Sequence, residues 1–275
     1  MQKNRKRYIK VNKIFCVDIG NSTISIGIFE KNEIITSFRF ATNKEFLSTE
    51  YQLMINSVLN NKEISKSDFT GAIVSSTVPA LLNNFDLAIN DVFGFSPMIV
   101  GPGIKTGLNI KYENPKEIGP DRILHAVAGL DIAPAPLIIV DLGTGLVFDV
   151  LDIEGNYLGG AIAPGVSIAA EALFNKGSML NSINIQKPAS VIGTNTKSAL
   201  ESGIYFGSLE LIKGIVEKMK LELEGDVKVI GTGGDISIFE NDLSFFDYVE
   251  PDLNLYGLHL LYLTNTKAAK WPIIY

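Results

Sequence analysis

An apolar run that enters Asp-x-Gly, turns through polar residues and leaves along a second apolar run occurs twice in this chain. The first copy is Phe15-Cys-Val-Asp18-Ile-Gly20-Asn21-Ser22-Thr23-Ile-Ser-Ile-Gly27-Ile-Phe29. The second is Leu137-Ile-Ile-Val-Asp141-Leu-Gly143-Thr144-Gly145-Leu-Val-Phe-Asp149. A strand ending in a carboxylate and a glycine turn can present backbone N–H groups to a phosphate. Two copies, near the start and the middle of the chain, predict an internally duplicated fold with a ligand held between the halves.

A length of 275 residues accommodates one large domain or two of ordinary size. Hydrophobic residues at 46% and charged residues at 20% suit a folded chain rather than a disordered one. Charge is unevenly placed. Residues 1–13 hold Lys3, Arg5, Lys6, Arg7, Lys10 and Lys13 with no acid, so the rest of a chain of net charge -6 stands near -12. So acidic a surface repels phosphate backbones and argues against nucleic acid as a partner; the basic stretch reads as a solvated tail. The single cysteine, Cys16, lies in an apolar strand and reads as core filling, which excludes an internal disulfide and fits a reducing cytoplasm. No apolar run approaches the length of a membrane span, and no h-region follows the N-terminal charges; a cytoplasmic location with no membrane partner is expected.

The predicted order in the first half is three antiparallel strands over 14–40, a helix over 43–60, a strand over 71–79, a helix over 80–93 and a short strand at 97–100. That order resembles a ribonuclease-H-like α/β half. Residues 101–120 form a loop with Gly101, Pro102, Gly103, Gly119 and Pro120 at its ends, of a length that is usually functional. A helix begins at Asp121, which can cap it or sit in its first turn, with Ile123, Leu124 and Val127 as its apolar stripe. After Pro134 and Pro136 the strand pattern repeats from 137. Helices follow near 166–174, 197–224 and 255–264, and a late strand at 227–230 ends in Gly231-Thr-Gly-Gly-Asp235. The expected division is a tail over 1–13 and two duplicated ribonuclease-H-like α/β domains, 14–120 and 121–275, with an ATP cleft between them.

Three glycine-bearing strand ends, at Gly20, Gly143 and Gly231–Gly234, favour a nucleotide over three unrelated tight turns. Asp18 and Asp141 would stand where a cation bridging phosphates needs oxygen. Asp121 beside Arg122 pairs a proton acceptor with a cation able to hold an anionic substrate. Helix capping and a surface ion pair are the plain alternatives for those two. His259 and Trp271 read as packing or surface residues.

These pieces are similar to the type III pantothenate kinases of the acetate kinase/hexokinase/actin-like superfamily. The matching stretches are Asp18-Ile-Gly-Asn-Ser-Thr23, Ser75-Ser-Thr-Val-Pro79, Gly101-Pro-Gly-Ile-Lys-Thr-Gly107, Gly119-Pro-Asp-Arg122, Asp141-Leu-Gly-Thr144, Tyr157-Leu-Gly-Gly-Ala-Ile-Ala-Pro-Gly165, Ile192-Gly-Thr-Asn-Thr196 and Thr232-Gly-Gly234. They span about residues 15–262. The resemblance implies ATP-dependent phosphorylation of pantothenate to 4'-phosphopantothenate, the first step of coenzyme A biosynthesis, by a homodimer. Under it, Asp18, Ile19, Gly20, Asn21, Ser22, Thr23, Ile24 and Ser25 form the first phosphate loop, and Thr144 contacts ATP from the second. Asp141 would ligate a monovalent cation, potassium or ammonium, with Mg2+ accompanying the nucleotide. Asp121 would be the general base, and Tyr112, Gly119, Pro120, Asp121, Arg122 and Thr196 would line the pantothenate pocket.

The chain departs from the family pattern in places. The second hairpin usually reads Asp-x-Gly-Thr-Ala-Thr-Thr; here Gly145, Leu146 and Val147 follow Thr144, so two hydroxyls are replaced by aliphatic groups. Pro120 replaces an Ala, Ser22 a Thr, and His125 an Asn. Losing a hydrogen bond to a charged ligand costs about 1.5–3 kcal/mol. A weakly active or silent nucleotide-binding relative, or a superfamily kinase with another acceptor, is therefore the competing expectation.

Overall fold

The structure, a computed structural model, describes residues 12–176 and 185–266. Trp271 and five of the six basic residues of the N-terminal stretch lie outside the described residues. Two compact units form, Met1–Lys105 with Leu258–Tyr275, and Thr106–Gly257. The line between these units falls at 105/106. The C-terminal segment from 258 onward belongs to the first unit, a grouping made by tertiary contacts that leave no mark in local sequence.

In the first unit β1 (Lys13–Ile19), β2 (Thr23–Glu30) and β3 (Glu33–Ala41) form an antiparallel meander. Helix α1 (Ser48–Asn61) leads to β4 (Phe69–Ser76), and α2 (Leu82–Phe93) leads to β5 (Met98–Ile99), both strands adding in parallel. The sheet order is β3-β2-β1-β4-β5. Phe15, Val17 and Ile19 alternate onto one face with Ile24, Ile26 and Ile28 of β2, and Tyr51, Ile55, Phe85 and Ile89 of the two helices cover them. This is the period-two and period-3.6 apolar patterning read in the sequence, closed on itself. Helix α1 starts five residues later than predicted: Glu50 Oε2 accepts from Leu47 N at 3.1 Å, and the stop at 47 follows from that contact. Lys13 is not tail. It is a buried strand residue whose ammonium meets Glu30 at 3.2 Å and Asp68 at 3.5 Å.

The second unit repeats the plan. Helix α3 (Pro120–Ile132) precedes β6 (Leu137–Leu142), β7 (Gly145–Leu151) and β8 (Tyr157–Pro164), again an antiparallel meander. Helices α4 (Val166–Lys176) and α5 (Thr196–Lys220) lead to β9 (Lys228–Thr232), parallel to β6, and then to β10 (Tyr248–Val249). Helix α6 (Leu253–Asn265) follows, and the line between the units falls within it. The sheet order β10-β9-β6-β7-β8 is that of the first sheet, strand for strand. The duplicated α/β architecture expected from the repeated hairpin is present. The two-residue β10 and the 3-10 turn Gly234–Asp242 were not predicted, being too short or aperiodic to leave a pattern.

The second sheet separates structure from chemistry by face. Ile138, Val140, Leu142, Leu146, Phe148 and Val150 point into a core with Tyr205, Leu209 and Ile212 of α5. Leu137, Ile139, Leu151, Tyr157 and Ile230 point the other way, against Ala126 and Ala128 of α3. Asp141, Val147 and Asp149 alternate onto this second face.

Candidate active site

In the first unit Gly20 N donates to Thr23 O at 2.9 Å and closes the turn between β1 and β2. Thr42 braces it from β3's end: its Oγ1 donates to Gly20 O at 2.7 Å and its N to Ser22 O at 3.0 Å. Thr77 N donates to Ile19 O at 2.9 Å from the far side. With the turn held by neighbours, Asn21, Ser22 and Thr23 are exposed to solvent at its tip. Ile19 and Ile24 are fully buried in the apolar core, so of the eight expected loop residues these two can offer a ligand only backbone. Asp18 sits in a polar row across the sheet, paired in register with Ser75 on one side and Ser25 on the other.

In the second unit Thr144 is exposed at the tip of the β6–β7 turn, and its carbonyl accepts from Gly165 N at 3.2 Å. Gly165 permits a close approach: a Cβ there would fall 2.1 Å from Gly143 O and 2.5 Å from Thr144 O. The turn after β9 lies against the same hairpin. Gly233, at φ +100°, packs directly on the end of β6: a Cβ there would fall 2.3 Å from Asp141 Oδ1 and 2.4 Å from Leu142 O. Ser167 at the start of α4 donates to Asp235 Oδ2 at 3.0 Å, tying that helix to the turn; burial pushes the Asp235 carboxyl up. The Gly231–Gly234 segment thus lies beside Asp141, which pairs in register with Thr232, and Thr144 lies against Gly165.

The Asp141 carboxylate and the Leu142 carbonyl, both against Gly233, are hard oxygens of the kind a monovalent cation takes. Among the described residues no group of three or more His, Cys, Asp or Glu side chains gathers as a metal site.

At the start of α3, Gly119 precedes the helix and Pro120 is its first residue, where a missing N–H costs nothing. The Ala-to-Pro departure therefore suits the backbone. Asp121 lies in the first turn, its Oδ1 accepting from Arg122 N at 2.9 Å. Arg122 is buried, and its Nε donates to Asp149 Oδ1 at 2.7 Å. Tyr157 donates its hydroxyl to the same oxygen at 2.6 Å. The guanidinium lies 5.7 Å from the Tyr157 ring centre and 5.9 Å from that of Tyr112. Burial works against the Arg122 charge, and Asp149 with Tyr157 and Tyr112 more than restores it; burial pushes the Asp149 carboxyl up against the opposing pull of Arg122 and Tyr157. Tyr157 is pushed well above the usual phenol range, first by burial and then by Asp149.

Tyr112 is positioned by the loop before α3, where Lys111 N donates to Tyr157 O at 2.8 Å and Tyr157 N to Asn109 O at 2.9 Å. His125 is buried one turn after Asp121, with an Nδ1 that has no hydrogen-bond partner. Thr196 is the exposed first residue of α5, and no hydrogen bond among the described residues links it to Asp121 or Arg122. Asp149 and Tyr157 are the site residues that sequence reasoning missed. The available signal was a lone carboxylate inside the apolar run Leu146-Val-Phe-Asp149-Val-Leu151.

The hairpin departures are also unequal. Leu146 is 2% exposed in the α5-facing core, so it does not stand where a ligand would be. Val147 is half-buried on the opposite face, paired in register with Asp141 on one side and the exposed Ile162 on the other. Only one of the two lost hydroxyls belonged to the chemical face.

Duplicated sheets of this order, with glycine turns at corresponding strand ends, make up the duplicated actin/ribonuclease-H-like α/β fold. The chain belongs to the type III pantothenate kinase family, whose model matches residues 14–218. Among solved structures it is similar to a candidate 2-dehydro-3-deoxygalactonokinase from Sinorhizobium meliloti, at 11% identity and TM-score 0.55 over 95% of this chain and 100% of that one. It is also similar to the activator of 2-hydroxyisocaproyl-CoA dehydratase from Clostridium difficile with bound ADPNP, at 13% identity and TM-score 0.51 over 91% and 93%. A third, component A of (R)-2-hydroxyglutaryl-CoA dehydratase from Acidaminococcus fermentans, stands at 15% identity and TM-score 0.51 over 91% and 96%. At such identities the likeness is one of fold. Among the described residues no helix is long and apolar enough to cross a membrane.

Proposed function

We propose that this chain transfers the γ-phosphate of ATP to the primary hydroxyl of pantothenate, giving 4'-phosphopantothenate and ADP, the first step of coenzyme A biosynthesis. The observation that carries the reading is the Asp121–Arg122 pair at the head of α3, with Arg122 buried and bonded to Asp149 through Nε. In-line transfer forms a bond from the acceptor oxygen to the γ-phosphorus as the bond to the β,γ-bridging oxygen breaks. Asp121 takes the hydroxyl proton, and Arg122 holds the anionic end of the acceptor. Phosphoryl transfer asks mainly for positioning and charge neutralisation, and each unit carries an exposed turn with N–H and hydroxyl donors, Asn21–Thr23 in the first and Thr144 in the second.

Asp141 and the Leu142 carbonyl would hold the potassium or ammonium ion, which when bound offsets phosphate charge. A cytoplasmic homodimer is the form we expect, in keeping with the family and with the buried free thiol of Cys16. The test is product formation from purified protein, Mg-ATP, potassium and pantothenate, with Asp121→Asn beside it. Transfer that survives Asp121→Asn at wild-type rate overturns the general-base role.

One observation favours a second reading, a kinase with another acceptor or a nucleotide-binding relative without turnover. Val147 puts an isopropyl group beside Asp141 where the family usually has a hydroxyl. Nucleotide binding with no phosphorylated pantothenate would establish it.

A further inference from the structure

Asp149 is 1% exposed, and its Oδ1 takes two short hydrogen bonds, from Arg122 Nε at 2.7 Å and Tyr157 Oη at 2.6 Å. A buried ion pair of this kind is weak evidence for a stability role, because desolvation offsets most of its attraction. Its geometry points elsewhere. A guanidinium gripped end-on by a carboxylate through both terminal nitrogens would be spent; one that meets its carboxylate through Nε keeps its terminal nitrogens for a second, planar anion. Among the described residues Asp149 is the one carboxylate bonded to the guanidinium, and the Tyr112 side chain is its other hydrogen-bonding neighbour. The rings of Tyr112 and Tyr157 flank it, with centres 5.9 and 5.7 Å from the guanidinium carbon. The base Asp121 is the adjacent residue and is bonded to the Arg122 backbone, so any swing of Arg122 is felt at the base. Tyr157 lies where the β7–β8 register slips between Val150 and Leu151, and such a bulge re-aims the side chains beside it.

We propose that Asp149 and Tyr157 are positioning residues that lock the Arg122 fork toward the anionic group of the acceptor, a carboxylate when the acceptor is pantothenate. The proposal rests on the kinase reading above for the identity of the acceptor, but not for the lock itself.

Two measurements test it. Without substrate, the Arg122 Nε–H resonance, assigned by its absence in Arg122→Lys, is expected to exchange slowly with water in the wild type and to be lost from the slow class in Asp149→Asn. An Nε–H that exchanges in the wild type as fast as surface arginines overturns the lock. With Mg-ATP and pantothenate, Asp149→Asn is expected to raise the pantothenate KM about 10–100-fold, the range for a lost bond to a charged group, with the ATP KM within about twofold of wild type. Tyr157→Phe, which removes one hydroxyl and no volume, is expected to raise it a few-fold, and this variant carries the test if Asp149→Asn does not fold. In an Arg122→Lys background both substitutions should change the pantothenate KM by less than about twofold, since their effect passes through the missing guanidinium. Effects that multiply independently of Arg122, or that raise both KM values alike, show a merely structural pair and overturn the proposal. A wild type that transfers nothing to pantothenate overturns the acceptor reading, and the lock is then decided by the Nε–H resonance.

Discussion

His259 offers a pH-dependence whose size follows from its surroundings. It is 2% exposed, stacked on Phe29 with ring centres 4.2 Å apart, and neither ring nitrogen makes a hydrogen bond of proper geometry. Burial lowers its pKa from 6.5 to about 4, which the Lys31 backbone opposes only weakly. A base with a depressed folded pKa is neutral in the native chain and takes up a proton on unfolding whenever the pH lies between the two values. Stability is then intact above about pH 6.5 and is lost as pH falls toward 4. Between pH 7.5 and pH 5 the loss from this one ring is about 2 kcal/mol. His259→Leu keeps an apolar filling of similar bulk and removes the titration. Urea unfolding followed by circular dichroism, on both proteins at both pH values, should show the wild type losing about 2 kcal/mol more than the variant. Other titrating groups, such as the raised Asp235 and Glu250 carboxyls, are common to both and cancel in the difference. Equal losses in the two proteins would mean that the ring reaches solvent or a partner in the native state, and would refute the reasoning.

Other expectations concern the site. Leu146→Thr should destabilise the protein by about 2–4 kcal/mol, from a lost core side chain and a buried hydroxyl, without improving phosphate transfer. Val147→Thr should leave the unfolding midpoint nearly unchanged and alter kcat; thermal melts beside steady-state kinetics distinguish the two. Gly165→Ala forces a methyl into the carbonyls of Gly143 and Thr144, so the ATP KM, or nucleotide affinity by calorimetry, should weaken at least about tenfold. Asp121→Asn should cut kcat by about 100-fold or more while nucleotide binding persists.

The duplicated sheets were legible because each copy announces itself locally: apolar alternation, Asp-x-Gly, and a second alternating run. Asp141, Thr144 and the Gly231–Gly234 segment could be grouped for the same reason, since each closes a strand whose place in the sheet is set by its repeat. Partners distant in sequence were not legible. Asp149 meets Arg122 across 27 residues, and nothing near either names the other. Thr42 bracing the first turn is hidden in the same way. The division inside α6 was unreadable because a continuous apolar helix carries no sign of which half packs where.

The opposite orientations of Leu146 and Val147 also bear on how far the hairpin's history can be undone. Val147 has few neighbours to consult, and a single change would restore a hydroxyl there. Leu146 is committed to Tyr205, Leu209 and their companions on α5, so a return to Thr would call for matching changes several turns away. Two adjacent letters that look like one event in the sequence are, in the folded chain, one reversible step and one ratchet.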